Sequence, residues 1–175
     1  MPTATLLPNG DVSNVGATTT EATFTEVLNR GTDPSPVTTK YIAFGANDSL
    51  VVDLESVASD WDDSNSITLV VFVYSSKNTT LALTAQLFES DGTTAITGTV
   101  DVTPTTTLTQ YTLSEAMTVT GDDSKSAMDG ARLKFTTASG AGGIFLYASD
   151  VDLDYNVAAG GSSNPWHYYA QLGEI

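Results

Sequence analysis

A two-residue rhythm of apolar side chains constrains this chain more than any other feature. Leu50, Val52 and Leu54 fall on one side of 49–54, with Val51 and Asp53 on the other. Leu81, Leu83, Ala85 and Leu87 alternate with Ala82, Thr84 and Gln86, and Leu133 and Phe135 with Arg132, Lys134 and Thr136. That period belongs to a half-buried β-strand, whose successive side chains point to opposite faces. The run Ile67 to Tyr74 is apolar on both faces, which marks a central strand. Tyr111 and Leu113 mark a further strand in 107–114, and Ile96, Val100 and Val102 alternate with Thr97, Thr99 and Asp101. In the last strand the same rhythm puts Phe145, Tyr147, Val151, Leu153 and Tyr155 on one face and Asp150, Asp152 and Asp154 on the other.

About eight such strands at about ten-residue spacing predict an all-β fold, a single jelly-roll-like antiparallel β-sandwich. Composition agrees, since 28 of the 175 residues are Thr. Its β-branched side chain fits a pleated sheet better than a helix. Asp91-Gly92 predicts a tight hairpin turn with both central residues at positive φ. The segments 12–20 and 31–36 read as surface loops. Phe24, Val27 and Leu28 give 21–30 the spacing of the one short helix. Residues 1–157 form the sandwich domain, with 1–10 read as an ordinary edge strand, or alternatively a short N-terminal arm. Residues 158–175 form a Gly/Ser spacer followed by an aromatic C-terminal arm.

Six Lys and Arg stand against 21 Asp and Glu, a net charge of −15. Phosphate backbones and anionic membrane surfaces repel such a chain, so neither nucleic acid nor membrane is an expected partner. Without cysteine there is no disulfide and no thiolate metal site. No apolar stretch approaches the roughly 20 residues of a membrane helix, and the N-terminus lacks the pattern of a signal peptide. Synthesis in a cytoplasm is the expectation.

No active site is legible. His167 is the sole histidine, too few for a histidine zinc site, and it lies in the arm rather than on a rigid element. Asp150, Asp152 and Asp154 invite a calcium reading, but Tyr155 and Gly161 stand where a calcium loop needs Gly and Glu. They read as the solvated face of a strand. Nothing singles out a carboxylate pair for glycoside hydrolysis. Trp61, Tyr41 and Tyr147 are candidates to stack on a sugar ring, although such residues more often fill the end of a sandwich core. No cofactor, metal ligand or catalytic residue is assigned.

The arm points to docking. Trp166, His167, Tyr168, Tyr169, Leu172 and Ile175 are its candidate partner-docking residues. Burying its three large aromatics would gain about 11–19 kcal/mol gross. Ordering residues 165–175 would cost about 11–22 kcal/mol of backbone entropy. Docking would therefore need strand pairing with a partner or many copies acting together.

One resemblance goes further. Leu7-Pro8-Asn9-Gly10-Asp11, then Phe24 to Leu28, a Pro/Asp loop leading to Tyr41-Ile42, and Ile67 to Val73 resemble the jelly-roll virion proteins of tailed bacteriophages. Those domains are similar in layout to galactose-binding-like carbohydrate modules. The resemblance covers residues 5–157 and transfers no active-site residue. It implies a non-enzymatic capsid decoration or cement protein on the virion exterior, with the major capsid protein and neighbouring copies of itself as partners. A homo-oligomer, dimer or trimer, would suit a symmetry axis. The alternative is a carbohydrate-binding or receptor-binding module of a head fibre or tail structure.

Overall fold

The computed structural model describes residues 2–29, 36–76, 82–113 and 117–157. The predicted arm 158–175, with Trp166, His167, Tyr168, Tyr169, Leu172 and Ile175, lies outside the described residues.

Among the described residues, eleven strands and two short helices follow in order: β1 (Thr3–Leu6), β2 (Pro8–Val15), β3 (Thr18–Thr19), α1 (Phe24–Leu28), β4 (Ile42–Phe44), β5 (Ser49–Leu54), β6 (Trp61–Ser75), β7 (Leu83–Phe88), β8 (Val100–Val102), β9 (Thr109–Leu113), α2 (Lys125–Met128), β10 (Arg132–Thr137) and β11 (Ile144–Val157). They build two antiparallel sheets, the expected all-β sandwich. The first sheet runs β3-β4-β11-β6-β9, with β1 also paired to β11; the second runs β2-β5-β10-β7-β8.

The core lies between the sheets. Leu50, Val52, Leu54, Leu133 and Phe135 meet Ile67, Leu69, Val71, Val73, Leu146 and Val151, all essentially inaccessible to solvent. The apolar run Ile67 to Tyr74 is indeed central, since β6 has β11 on one side and β9 on the other. β1 is an ordinary strand whose Thr3 to Leu6 face Asp154 to Val151.

Several expectations give way. The segment 12–20 is no loop: Val12 to Val15 continue β2, and Thr18–Thr19 form β3. Nearly all of β2 beyond Pro8 is solvent-exposed, so backbone pairing with β5 holds it and no apolar rhythm records it. The helix shrinks from 21–30 to Phe24–Leu28. Thr23 caps it with a reciprocal box, its hydroxyl accepting from the Glu26 N–H while the Glu26 carboxylate accepts from the Thr23 N–H. Asp11 reaches across from β2 to accept from the Phe24 and Thr25 N–H groups, each at 2.8 Å.

The Asp91-Gly92 hairpin also differs. Only Gly92 takes positive φ, at 71°. Asp91 instead gathers the Thr93 and Thr94 N–H groups at 2.7 and 2.8 Å, together with both threonine hydroxyls. These bonds, led by the Thr94 hydroxyl, hold its carboxyl well below the usual carboxylate range. The turn is an Asp-stapled loop, and β8 begins only at Val100.

Candidate functional site

The long strand β11 does not keep its alternation. Its register against β6 shifts between Leu146 and Ala148, so that one residue, Tyr147, is extra. A bulge of this kind carries the side chains before it to the opposite face. Val151, Leu153 and Tyr155 face the core as expected. Phe145 and Tyr147 do not join them: they emerge on the outer face, the same side as Asp150, Asp152 and Asp154. The single-face reading of this strand is thus corrected. Gly143, at φ 69°, closes the turn into β11, where a β-carbon would lie 2.2 Å from the Ser76 hydroxyl oxygen.

Once outside, Phe145 meets its register partner Tyr74 from β6, with ring centroids 5.7 Å apart and planes 32° apart. Tyr41, just before β4, stands edge-on to Phe145 at 5.1 Å and lies 5.9 Å from Tyr147. Phe72, two residues before Tyr74, shares this face and pairs with Gln110 of β9. Tyr41, Phe72, Tyr74 and Phe145 all keep partial solvent exposure. None of them, nor Tyr147, belongs to the core between the sheets. The result is an aromatic platform crossing three strands at one end of the outer face.

Burial, and then the proximity of Tyr41 and Tyr74, raises the Tyr147 phenol above the usual tyrosine value. The folded state therefore holds this proton more tightly than the unfolded chain. Its contribution is intact below the unfolded pKa near 10 and is lost as pH rises through the folded value. Tyr155 shifts the same way through burial and Asp60. Spectrophotometric titration should show two tyrosines ionising late, with stability falling above about pH 10. Replacing Tyr147 with Phe should remove one late step; an unchanged titration curve would refute the assignment.

Of the three residues proposed for sugar stacking, the structure brings Tyr41 and Tyr147 together. It places Trp61 elsewhere: 2% exposed, stacked on Tyr155 at 4.7 Å and 19°, with its indole N–H donating to the Asp123 carbonyl. Tyr74, Phe72 and Phe145 escaped the sequence reading. Tyr74 and Phe72 lie in a run apolar on both faces, which hides their outward direction, and the plain alternation of β11 puts Phe145 on the face it does not occupy.

At the other end of the outer face lies a shallow groove of about 390 Å³, lined by Thr3, Thr5, Ser66, Thr68, Asp152 and Asp154. Asp152 accepts from the Thr5 hydroxyl at 2.7 Å and Asp154 from the Ser66 hydroxyl at 3.2 Å. The aspartates of this face thus line a hydroxyl-rich surface. Among the described residues no group of three or more His, Cys, Asp and Glu is placed to hold a metal ion, and no helix is long and apolar enough to cross a membrane.

No protein-family model matches the chain, and no curated protein matches it. Three solved structures are similar to this chain at low identity. The C-terminal family 6 carbohydrate-binding module of the Zobellia galactanivorans laminarinase LamC is 10% identical, with 87% of this chain and 100% of that one covered and a TM-score of 0.48. A family 35 carbohydrate-binding module from Clostridium thermocellum is 12% identical over 89% and 100%, with a TM-score of 0.47. The enzymatically active domain of tailspike protein 4 from bacteriophage CBA120 is 15% identical over 85% of this chain and 19% of that one, with a TM-score of 0.47. With TM-scores below 0.5 and identities of 10–15%, none of the three carries an argument about what this chain is or does.

Proposed function

We propose that this domain is a non-catalytic glycan-binding module that reads sugars with the platform of Tyr41, Phe72, Tyr74, Phe145 and Tyr147. One observation carries the reading: four aromatic side chains, Tyr41, Tyr74, Phe145 and Tyr147, converge on the outer face of a sheet, outside the core, with Phe72 on the same face, and three of them bear phenol hydroxyls. Aromatic faces bury the C–H faces of pyranose rings, and phenol hydroxyls can exchange hydrogen bonds with sugar hydroxyls. A core needs no such cluster on its outer side, where Tyr41, Phe72, Tyr74 and Phe145 are partly exposed around the buried Tyr147, and apolar clusters that reach the surface mark interaction sites. Decoration of a capsid through Trp166 to Ile175 rests on residues outside the described ones, and no observation favours it over the platform.

The test is a glycan array followed by titration of the strongest hits. Tyr74→Ala should weaken binding by at least tenfold, the truncation cost of a central contact residue being about 2 kcal/mol. Its thermal midpoint should stay near that of the wild type, because Tyr74 lies outside the core. An array without hits, or an alanine variant that binds as tightly as wild type, would defeat the reading.

A further inference from the structure

We infer that the platform takes a short, uncharged saccharide of about two pyranose rings, laid across the strands rather than along them; strands stand about 4.8 Å apart, so three of them span about 10 Å. The inference rests on the glycan-binding reading and adds the length, charge and direction of the ligand.

Direction follows from which neighbours are open. Across the strands, Tyr41, Phe145 and Tyr74 continue one another at centroid steps of 5.1 and 5.7 Å, and beyond Phe72 the exposed Gln110 offers an amide. Along the strands the outer face closes. Ala148, level with Phe72, is 0% exposed, and the next outward pair, Val70 and Asp150, is 5% and 1% exposed. A chain running from the platform toward the groove at Asp152 and Asp154 would have to cross that closed stretch. Sugar units beyond the platform therefore lose freedom on binding without gaining contacts.

Charge follows from the same surface. Lys40, next to Tyr41 in the chain, pairs with Glu21 at 3.2 Å, so its charge is already matched. The chain as a whole carries −15, so a polyanionic glycan meets repulsion that salt screens over about 10 Å at 0.1 M.

The experiment titrates the full chain with cello-, manno- and β-galacto-oligosaccharides of two to six units, and with oligogalacturonates of matched length, at low salt. For whichever neutral series binds, affinity should change less than threefold between trimer and hexamer. The galacturonates should bind at least tenfold more weakly than that series. A tenfold or larger gain from trimer to hexamer overturns the proposed length and direction, and galacturonate binding equal to the neutral series overturns the charge. Absence of binding by every sugar overturns the glycan reading itself.

Discussion

Replacing Trp61 with Ala should cost about 3–5 kcal/mol, a large share of the 5–15 kcal/mol that holds a typical domain together. The indole is 2% exposed and closes the end of the sandwich where β6 begins. It lies flat on Tyr155 and donates its N–H to the Asp123 carbonyl at 3.0 Å. The same Asp123 accepts from the Ser64 N–H through its carboxylate at 2.7 Å, so β6 grips this loop twice. Alanine would leave a void, an unstacked tyrosine and a carbonyl without its donor. Phenylalanine should recover most of the loss, lacking chiefly the N–H bond worth about 1 kcal/mol. Urea unfolding followed by circular dichroism reads the difference; a loss below about 1 kcal/mol for the alanine variant would show that the end of the core does not depend on the ring.

Phe135→Ala should cost a similar 3–5 kcal/mol, for a different geometric reason. Phe135 sits on the middle strand of the second sheet, facing Leu50 on one side and Ala85 on the other. All three are at most 1% exposed. The small alanine makes room for the large ring, so the pair fills its layer only as a pair. With both reduced to alanine, neighbours on two strands must collapse inward, and sheets do so poorly. Phe135→Leu should lose less, about 1–2 kcal/mol, since most of the volume remains. Calorimetric midpoints distinguish these values; equal stability of the Leu and Ala variants would mean that the ring does not fill the space assigned to it.

These core positions were legible from sequence because they obey the period of a strand. Leu50, Val52, Leu133 and Phe135 alternate without interruption, and the sheets place them inward. β2 was invisible for the complementary reason: an exposed edge strand is held by its backbone, and its side chains carry no rhythm. The platform lay behind a third kind of obstacle. Tyr41 and Tyr147 stood out as single rings, but their meeting with Phe145 and Tyr74 depends on one extra residue in β11. Nothing in the letters around Leu146-Tyr147-Ala148 announces that extra residue, because the bulge is settled by pairing with β6, whose own sequence reads as an unbroken run. Trp61 went the other way: of the two readings open to it, a ring that fills the end of the sandwich core is the one the structure shows.

The pairing of the first strand with the last has a practical outcome. The Tyr155 amide donates to the Pro2 carbonyl at 3.2 Å, beside the Val157–Trp61 pair, whereas Phe145 and Tyr74 lie near the far end of the same antiparallel pair of long strands, β6 and β11. At about 3.3 Å per residue, the thirteen steps from Trp61 to Tyr74 put about 40 Å between these two poles. A bead, surface or fusion partner attached at either Pro2 or Val157 would consequently hold the domain by its heel and leave the tyrosines facing outward.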